Sequence, residues 1–156
     1  TLSSSSAASD VYKRQLMQQV KEMGLSDHVT FVGYLDRNSE LIDCYHAADL
    51  FVFSSLTETQ GLVLLEAMAS GIPVVSVAAM GTKEVLRNDL GAKITDGTAD
   101  DFSAKVIEVL DNKSLHTNLS KAAIAYAAEW DPRKLAIKME SYYYKVAFSQ
   151  LPRVTP

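Results

Sequence analysis

From Leu16 onward the hydrophobic positions alternate between a helical and a strand period, with short polar connections between them. Leu16, Val20 and Met23, spaced among Gln, Lys and Glu, predict the end of an amphipathic helix that Gly24 stops. Val29-Thr30-Phe31-Val32 is β-branched and aromatic and predicts a strand ending at Gly33. Asn38 stands where a cap would for a helix over 39–47, in which Leu41, Ile42, Tyr45 and Ala48 recur at helical spacing. Leu50-Phe51-Val52-Phe53 and Pro73-Val74-Val75-Ser76-Val77 are near-continuous apolar runs, the pattern of strands covered on both faces. Between them, 62–70 predicts a helix closed by Gly71; a short helix over 82–86 and a short strand over 91–94 follow. The remainder reads as helices over 100–110, 113–129 and 132 to about 148, with Pro132 after Asp131 as a start signal for the last. The order β-α-β-α-β-α-β followed by helices predicts a Rossmann-like three-layer α/β/α domain on a parallel sheet. Such sheets bind ligands at the carboxyl ends of their strands, which directs attention to the residues after Gly33, Phe53 and Val77.

Composition narrows the partners. The 156 residues are 47% apolar and 22% charged, enough for one globular domain with its own core. The single Cys44 cannot staple the chain and reads as a small core hydrophobe. No apolar run approaches the roughly 20 residues of a membrane-spanning helix. A net charge of −4 and a pI near 5.3 argue against nucleic acid, while leaving room for one nucleotide held by backbone amides. His28, His46 and His116 are scattered without the spacing of a metal site. Lys134 and Lys138 beside Glu140 read as a solvated face, and of Tyr142-Tyr143-Tyr144 two are expected to pack inward.

The first residues stand apart. Ser5-Ser6-Ala7-Ala8-Ser9-Asp10-Val11-Tyr12-Lys13-Arg14-Gln15 resembles the translation of a sequencing-library adapter, so residues 1–15 are expected to be an artefactual, disordered tail. The domain is expected over 16–148, with a C-terminal tail over 149–156.

The chemistry gathers around one helix. In Leu62-Val63-Leu64-Leu65-Glu66-Ala67-Met68-Ala69 every residue but Glu66 is apolar, which predicts a helix buried all round. A carboxylate there needs a partner. Four residues separate Glu66 from Leu62, so it shares a face with the helix start and lies roughly 6 Å along the axis from it. That start carries unpaired N–H groups and positive partial charge that suit a phosphate, and Gly61 permits close approach. A single ligand could thus place a phosphate on the amides of Gly61, Leu62 and Val63 and a ribose diol on Glu66, with Glu58 facing whatever the phosphate carries. Taken singly, Gly61 could merely open a helix, Glu58 could favour the dipole, and Glu66 could pair with an internal Lys or Arg.

Glu58 and Glu66 stand in the E-x7-E spacing of the retaining nucleotide-sugar glycosyltransferases of the two-domain GT-B fold, the glycosyl transferases group 1 family. Val29 to Tyr34, Tyr45 to Val52, Gly61 to Val75, Gly81 to Val85 and the Trp130-Asp131 turn all resemble that family's carboxy-terminal, donor-binding domain, from about Leu16 to about Phe148. The resemblance implies transfer of a sugar from a UDP-, GDP- or ADP-sugar to an acceptor hydroxyl with retention. It assigns ribose binding to Glu66, donor-sugar binding to Glu58, Thr59, Gln60 and Gly61, diphosphate binding to Gly61, Leu62 and Val63, and nucleobase binding to Gly33, Tyr34 and Leu35. No cofactor or metal is implied, and no catalytic residue is assigned within the chain. The parent enzyme is expected in the cytoplasm, with room for peripheral association at the inner membrane face.

The departures from the pattern are informative. Glu58-Thr59-Gln60-Gly61 replaces the family's usual Glu-Gly-Phe-Gly, a variant that leans towards UDP-glucose, and Met80-Gly81 replaces a usual Gly-Gly. The domain's first strand, the upstream Arg and Lys that neutralise the diphosphate, and the amino-terminal acceptor domain have no counterpart in the sequence. The isolated chain is therefore expected to be inactive. The alternative is a non-catalytic nucleotide-binding or interaction module on a Rossmann-like fold; a dehydrogenase fits less well, since no G-x-G-x-x-G follows a strand.

Overall fold

The computed structural model describes residues 4–149. They divide between Asp36 and Arg37 into two compact units, and the candidate acids lie in the second.

The first unit holds α1 (Ser4–Glu22) and a stretch of irregular backbone. Helix over 4–15 corrects the expected disordered tail; the segment contains neither Gly nor Pro, so nothing in it breaks the helix that Leu16 to Glu22 continue. The strand expected over 29–32 does not form. A strand needs a neighbour to take its N–H and C=O groups, and no described strand pairs with this segment.

The second unit is a parallel sheet of β1 (Phe51–Phe53), β2 (Val74–Val77) and β3 (Ala92–Thr95), in that order, with Phe51 opposite Val74 and Val74 opposite Ala92. Around it lie α2 (Glu40–His46), α3 (Leu62–Ala69), α4 (Thr82–Val85), α5 (Ala99–Asp111), α6 (Lys113–Ala127) and α7 (Pro132–Ser149). The alternation of side chains along β2 divides the core. Val74 packs with Leu64, Ala67 and Met68 of α3, whereas Val75 packs with Val109 of α5 and Leu119 of α6. With helices on both faces, the expected three-layer α/β/α arrangement is present.

Local signals explain most boundaries. Thr98 and Asn112 cap α5 and α6 by accepting from the Asp101 and Leu115 amides. Helix α3 ends in a Schellman turn: Gly71 has φ +81, Ile72 N–H donates to Ala67 O, and Gly71 N–H donates to Met68 O. The Asp131 carboxylate accepts from Arg133 N–H at the start of α7. Helix α2 starts at Glu40 rather than 39, with Ser39 and not Asn38 at its N-cap position.

Four expectations about burial need correction. Helix α3 is not buried all round: Leu64, Ala67 and Met68 face inward, whereas Leu62 is 52% exposed and Glu66 only half-buried. Cys44 is exposed, because Leu41 and Tyr45 centre the inward face of α2 and Cys44 points about 100° away from Tyr45. Strand β1 is an edge of the described sheet, which leaves Val52 about half exposed. Tyr142, Tyr143 and Tyr144 are all exposed, because α7 touches the rest of its unit mainly at its start, beside Ala128–Trp130. Among the described residues no helix is long and apolar enough to cross a membrane.

Candidate functional site

The loop after β1 delivers Glu58 to the start of α3, where its carboxylate turns back on its own backbone. Oε1 accepts the N–H groups of Gln60, at 2.8 Å, and Gly61, at 3.0 Å. The Gly61 bond, then the Gln60 bond, hold the Glu58 carboxyl below the usual carboxylate range. The loop is pinned from outside by Gly81, whose N–H donates to Glu58 O at 3.1 Å. A Cβ on Gly81 would meet the Thr59 carbonyl oxygen at 1.9 Å, so only glycine fits there.

Gly61 itself occupies the left-handed region with φ +70 and forms the N-cap position of α3 without a side-chain cap. The Leu64 N–H finds Gly61 O, and Gly61 N–H is taken by Glu58. Of the three amides expected to hold a diphosphate, those of Leu62 and Val63 are thus the two without a protein acceptor among the described residues. Thr59 and Gln60 are exposed beside them.

One turn further along α3, Glu66 faces the gap between α2 and α3. The Arg37 guanidinium pairs with its Oε1, and the Tyr45 hydroxyl approaches Oε2 at 3.4 Å. Burial, then the negative charge of Glu66, push the Tyr45 phenol up, which keeps it a hydrogen-bond donor. The ring of Tyr45 is anchored edge-on against Phe51, centroids 5.9 Å apart. Arg37, Tyr45, His46 and Glu66 line a cleft of about 340 Å³. A second cleft, of about 490 Å³, opens on the other side of Glu66 towards Leu62, Ile124 and Trp130.

The structure therefore places Glu58, Thr59, Gln60, Gly61, Leu62 and Val63 at the start of α3 and Glu66 one turn into it. Gly33, Tyr34 and Leu35 belong to the first unit, where Gly33 has φ +76 and Tyr34 is 96% exposed. Arg37, Tyr45 and Gly81 contribute geometry that the sequence does not assign to the site. Arg37 lies 29 residues before Glu66, with no motif linking the two; Tyr45 reads as a core position of an amphipathic helix. Among the described residues no cluster of three or more His, Cys, Asp or Glu side chains could hold a metal ion.

The second unit is thus a parallel α/β domain with Glu58 just before, and Glu66 one turn into, a helix whose first amides have no side-chain cap. Comparison with known proteins gives it a family: residues 9–126 match the model of glycosyl transferases group 1, and the chain belongs to that family. It is 32% identical over 133 residues to N-acetyl-α-D-glucosaminyl L-malate synthase of Bacillus anthracis, covering 84% of this chain and 34% of that protein. It is 35% identical over 116 residues to D-inositol 3-phosphate glycosyltransferase of Mycolicibacterium smegmatis, covering 74% of this chain and 26% of that protein. The chain thus spans about a quarter to a third of the length of these relatives. Among solved structures, sucrose-phosphate synthase of Thermosynechococcus elongatus superposes with a TM-score of 0.75 at 26% identity, over 90% of this chain and 35% of that one. Anabaena HepE in complex with UDP-glucose superposes with a TM-score of 0.69 at 25% identity, over 85% of this chain and 37% of that one. The structural neighbours are GT-B glycosyltransferases, and the α/β fold of the second unit is that of their domains.

Proposed function

We propose that this chain is the donor-binding half of a retaining glycosyltransferase that moves a sugar, with UDP-glucose the favoured donor, to an acceptor hydroxyl. The observation that carries the reading is the pairing of two features on α3: the acceptor-free N–H groups of Leu62 and Val63, and the Glu66 carboxylate one turn beyond. That separation, roughly 6 Å along a helix, is the reach from a nucleotide's phosphates to its ribose. The HepE structure with UDP-glucose adds support from a relative of the same fold.

In this reading the diphosphate rests on the Leu62 and Val63 amides and the helix dipole, with Gly61 reached once Glu58 turns outward. Glu66 accepts from the ribose hydroxyls, and Glu58, Thr59 and Gln60 contact the donor sugar. Negative charge developing on the leaving diphosphate is met by oriented amides and basic side chains, so no metal takes part. Glu58 and Glu66 bind rather than cleave, so the glycosidase pattern of paired carboxylates does not apply. The isolated chain is expected to bind donor without transferring sugar.

Calorimetric titration with UDP-glucose and GDP-mannose tests the reading. Saturable binding that Glu66→Ala abolishes supports it. A folded chain that binds neither donor would overturn it in favour of a scaffold or interaction module.

A further inference from the structure

Glu66 has more accepting capacity than the fold uses. An ionised carboxylate offers about four lone-pair directions on its two oxygens. Arg37 takes one on Oε1, and the Tyr45 hydroxyl approaches one on Oε2. One direction is left on each oxygen, beside a cleft of about 340 Å³ that Glu66 itself lines. Two acceptors on neighbouring oxygens match two hydroxyls on neighbouring carbons.

We propose that Arg37 and Tyr45 are positioning residues that fix the Glu66 carboxylate to accept from two adjacent hydroxyls at once, so that the site selects nucleotides with an intact ribose diol over their 2′-deoxy analogues. The proposal rests on the donor-binding reading above. Each positioning group approaches from a different side. Tyr45 is 7% exposed, so its hydroxyl is held from the core, whereas the Arg37 side chain is 69% exposed and reaches Glu66 from the rim. An ion pair that exposed adds little to folding. Its consequence is orientation: without it the carboxylate can rotate about its terminal torsion, and only one ribose hydroxyl is then matched at a time.

The test compares UDP with 2′-deoxy-UDP by calorimetry on the full chain, or GDP with 2′-deoxy-GDP if GDP binds more tightly. The wild type is expected to prefer the ribonucleotide by on the order of tenfold or more, the effect of one hydrogen bond to a charged group. Arg37→Gln and Tyr45→Phe should each cut that preference severalfold with the melting temperature kept, the double variant should approach parity, and Arg37→Lys should restore part of it. Equal binding of both nucleotides by the wild type, or variants that weaken both by the same factor, would overturn the positioning role while leaving the donor-binding reading intact. Absence of binding to any of the four nucleotides overturns that reading and this one with it.

Discussion

The backbone of Gly81 lies directly against the peptide of Thr59, so close that a methyl group on Gly81 would sit 1.9 Å from the Thr59 carbonyl oxygen. The same glycine donates its N–H to Glu58 O. The turn before α4 thereby clamps the loop that presents Glu58, and the loop cannot relax without losing that hydrogen bond. Gly81→Ala is expected to push the Thr59 peptide away, lower stability by about 1–3 kcal/mol as overpacked sites do, and weaken nucleotide-sugar binding. Thermal melts together with a donor titration check both effects. An alanine variant with unchanged stability and affinity would show that the clamp is dispensable.

The residue before this glycine carries strain that the sequence foreshadows. Met80 has φ +45, a left-handed conformation that costs an L side chain about 1–2 kcal/mol. The resembled family has Gly-Gly at 80 and 81, so a methionine occupies a backbone shape suited to glycine. Met80→Gly should leave stability level or raise it by up to about 1 kcal/mol, since the relief of strain is partly offset by the freer unfolded chain. Met80→Val should lower it, because β-branched residues fit this region worst. Chemical denaturation of the two variants checks the conformation: the midpoint of Met80→Val should fall, and that of Met80→Gly should not.

What was legible in the sequence follows the reach of each signal. Local signals carried: the apolar runs at 51–53 and 74–77, the closing glycine at 71 and the proline start at 132 correspond to elements of the structure. The strand expected over 29–32 failed although its composition is favourable, because pairing is a tertiary property that composition does not contain. Helix α3 misled in another way. Its uniform apolarity suggested burial on every side, yet Leu62 faces outward beside the site, where an apolar wall is as useful as a core contact. In the candidate site, Glu58 and Glu66 were legible because a spacing of eight positions, from a polar loop into the helix that follows it, is a local pattern. Arg37 was not, since a guanidinium that meets its carboxylate across 29 residues leaves no trace in either neighbourhood.

The loop after β2 depends on one buried hydroxyl. Thr82 is fully buried; its Oγ1 accepts from Ala79 N–H at 2.8 Å and lies 2.6 Å from Ala79 O and 3.2 Å from Val77 O. Thr82→Val keeps the shape but strands the Ala79 N–H, and should cost about 1–3 kcal/mol, the penalty of a buried unsatisfied donor. Thr82→Ser keeps the hydroxyl and should lose only the smaller packing share. Because Gly81 adjoins Thr82, the valine variant is also expected to loosen the Glu58 loop and reduce donor affinity beyond what its serine counterpart does. Equal losses for the two variants would assign the effect to the methyl group instead.

Glu58 makes the loop sensitive to acid. Its carboxyl is held below the usual range by the Gly61 and Gln60 amides, so the folded-state pKa lies below the unfolded value of about 4.3. A group shifted downward on folding contributes its share above the unfolded pKa, and that share is lost as pH falls through the folded one. The loop should therefore hold its turn at neutral pH and release it only as the pH falls below the ordinary glutamate range, while the sheet core, which buries no carboxylate, stays folded through the first part of that fall. The amide proton resonances of Gln60 and Gly61 should titrate together with a midpoint under the ordinary glutamate value. In Glu58→Gln, a neutral acceptor with no titration, both should be flat across the same range. If the two amides instead followed a midpoint at or above the ordinary value, the carboxylate would not be bonded to them in solution, and Gly61 N–H would be open to a ligand from the outset.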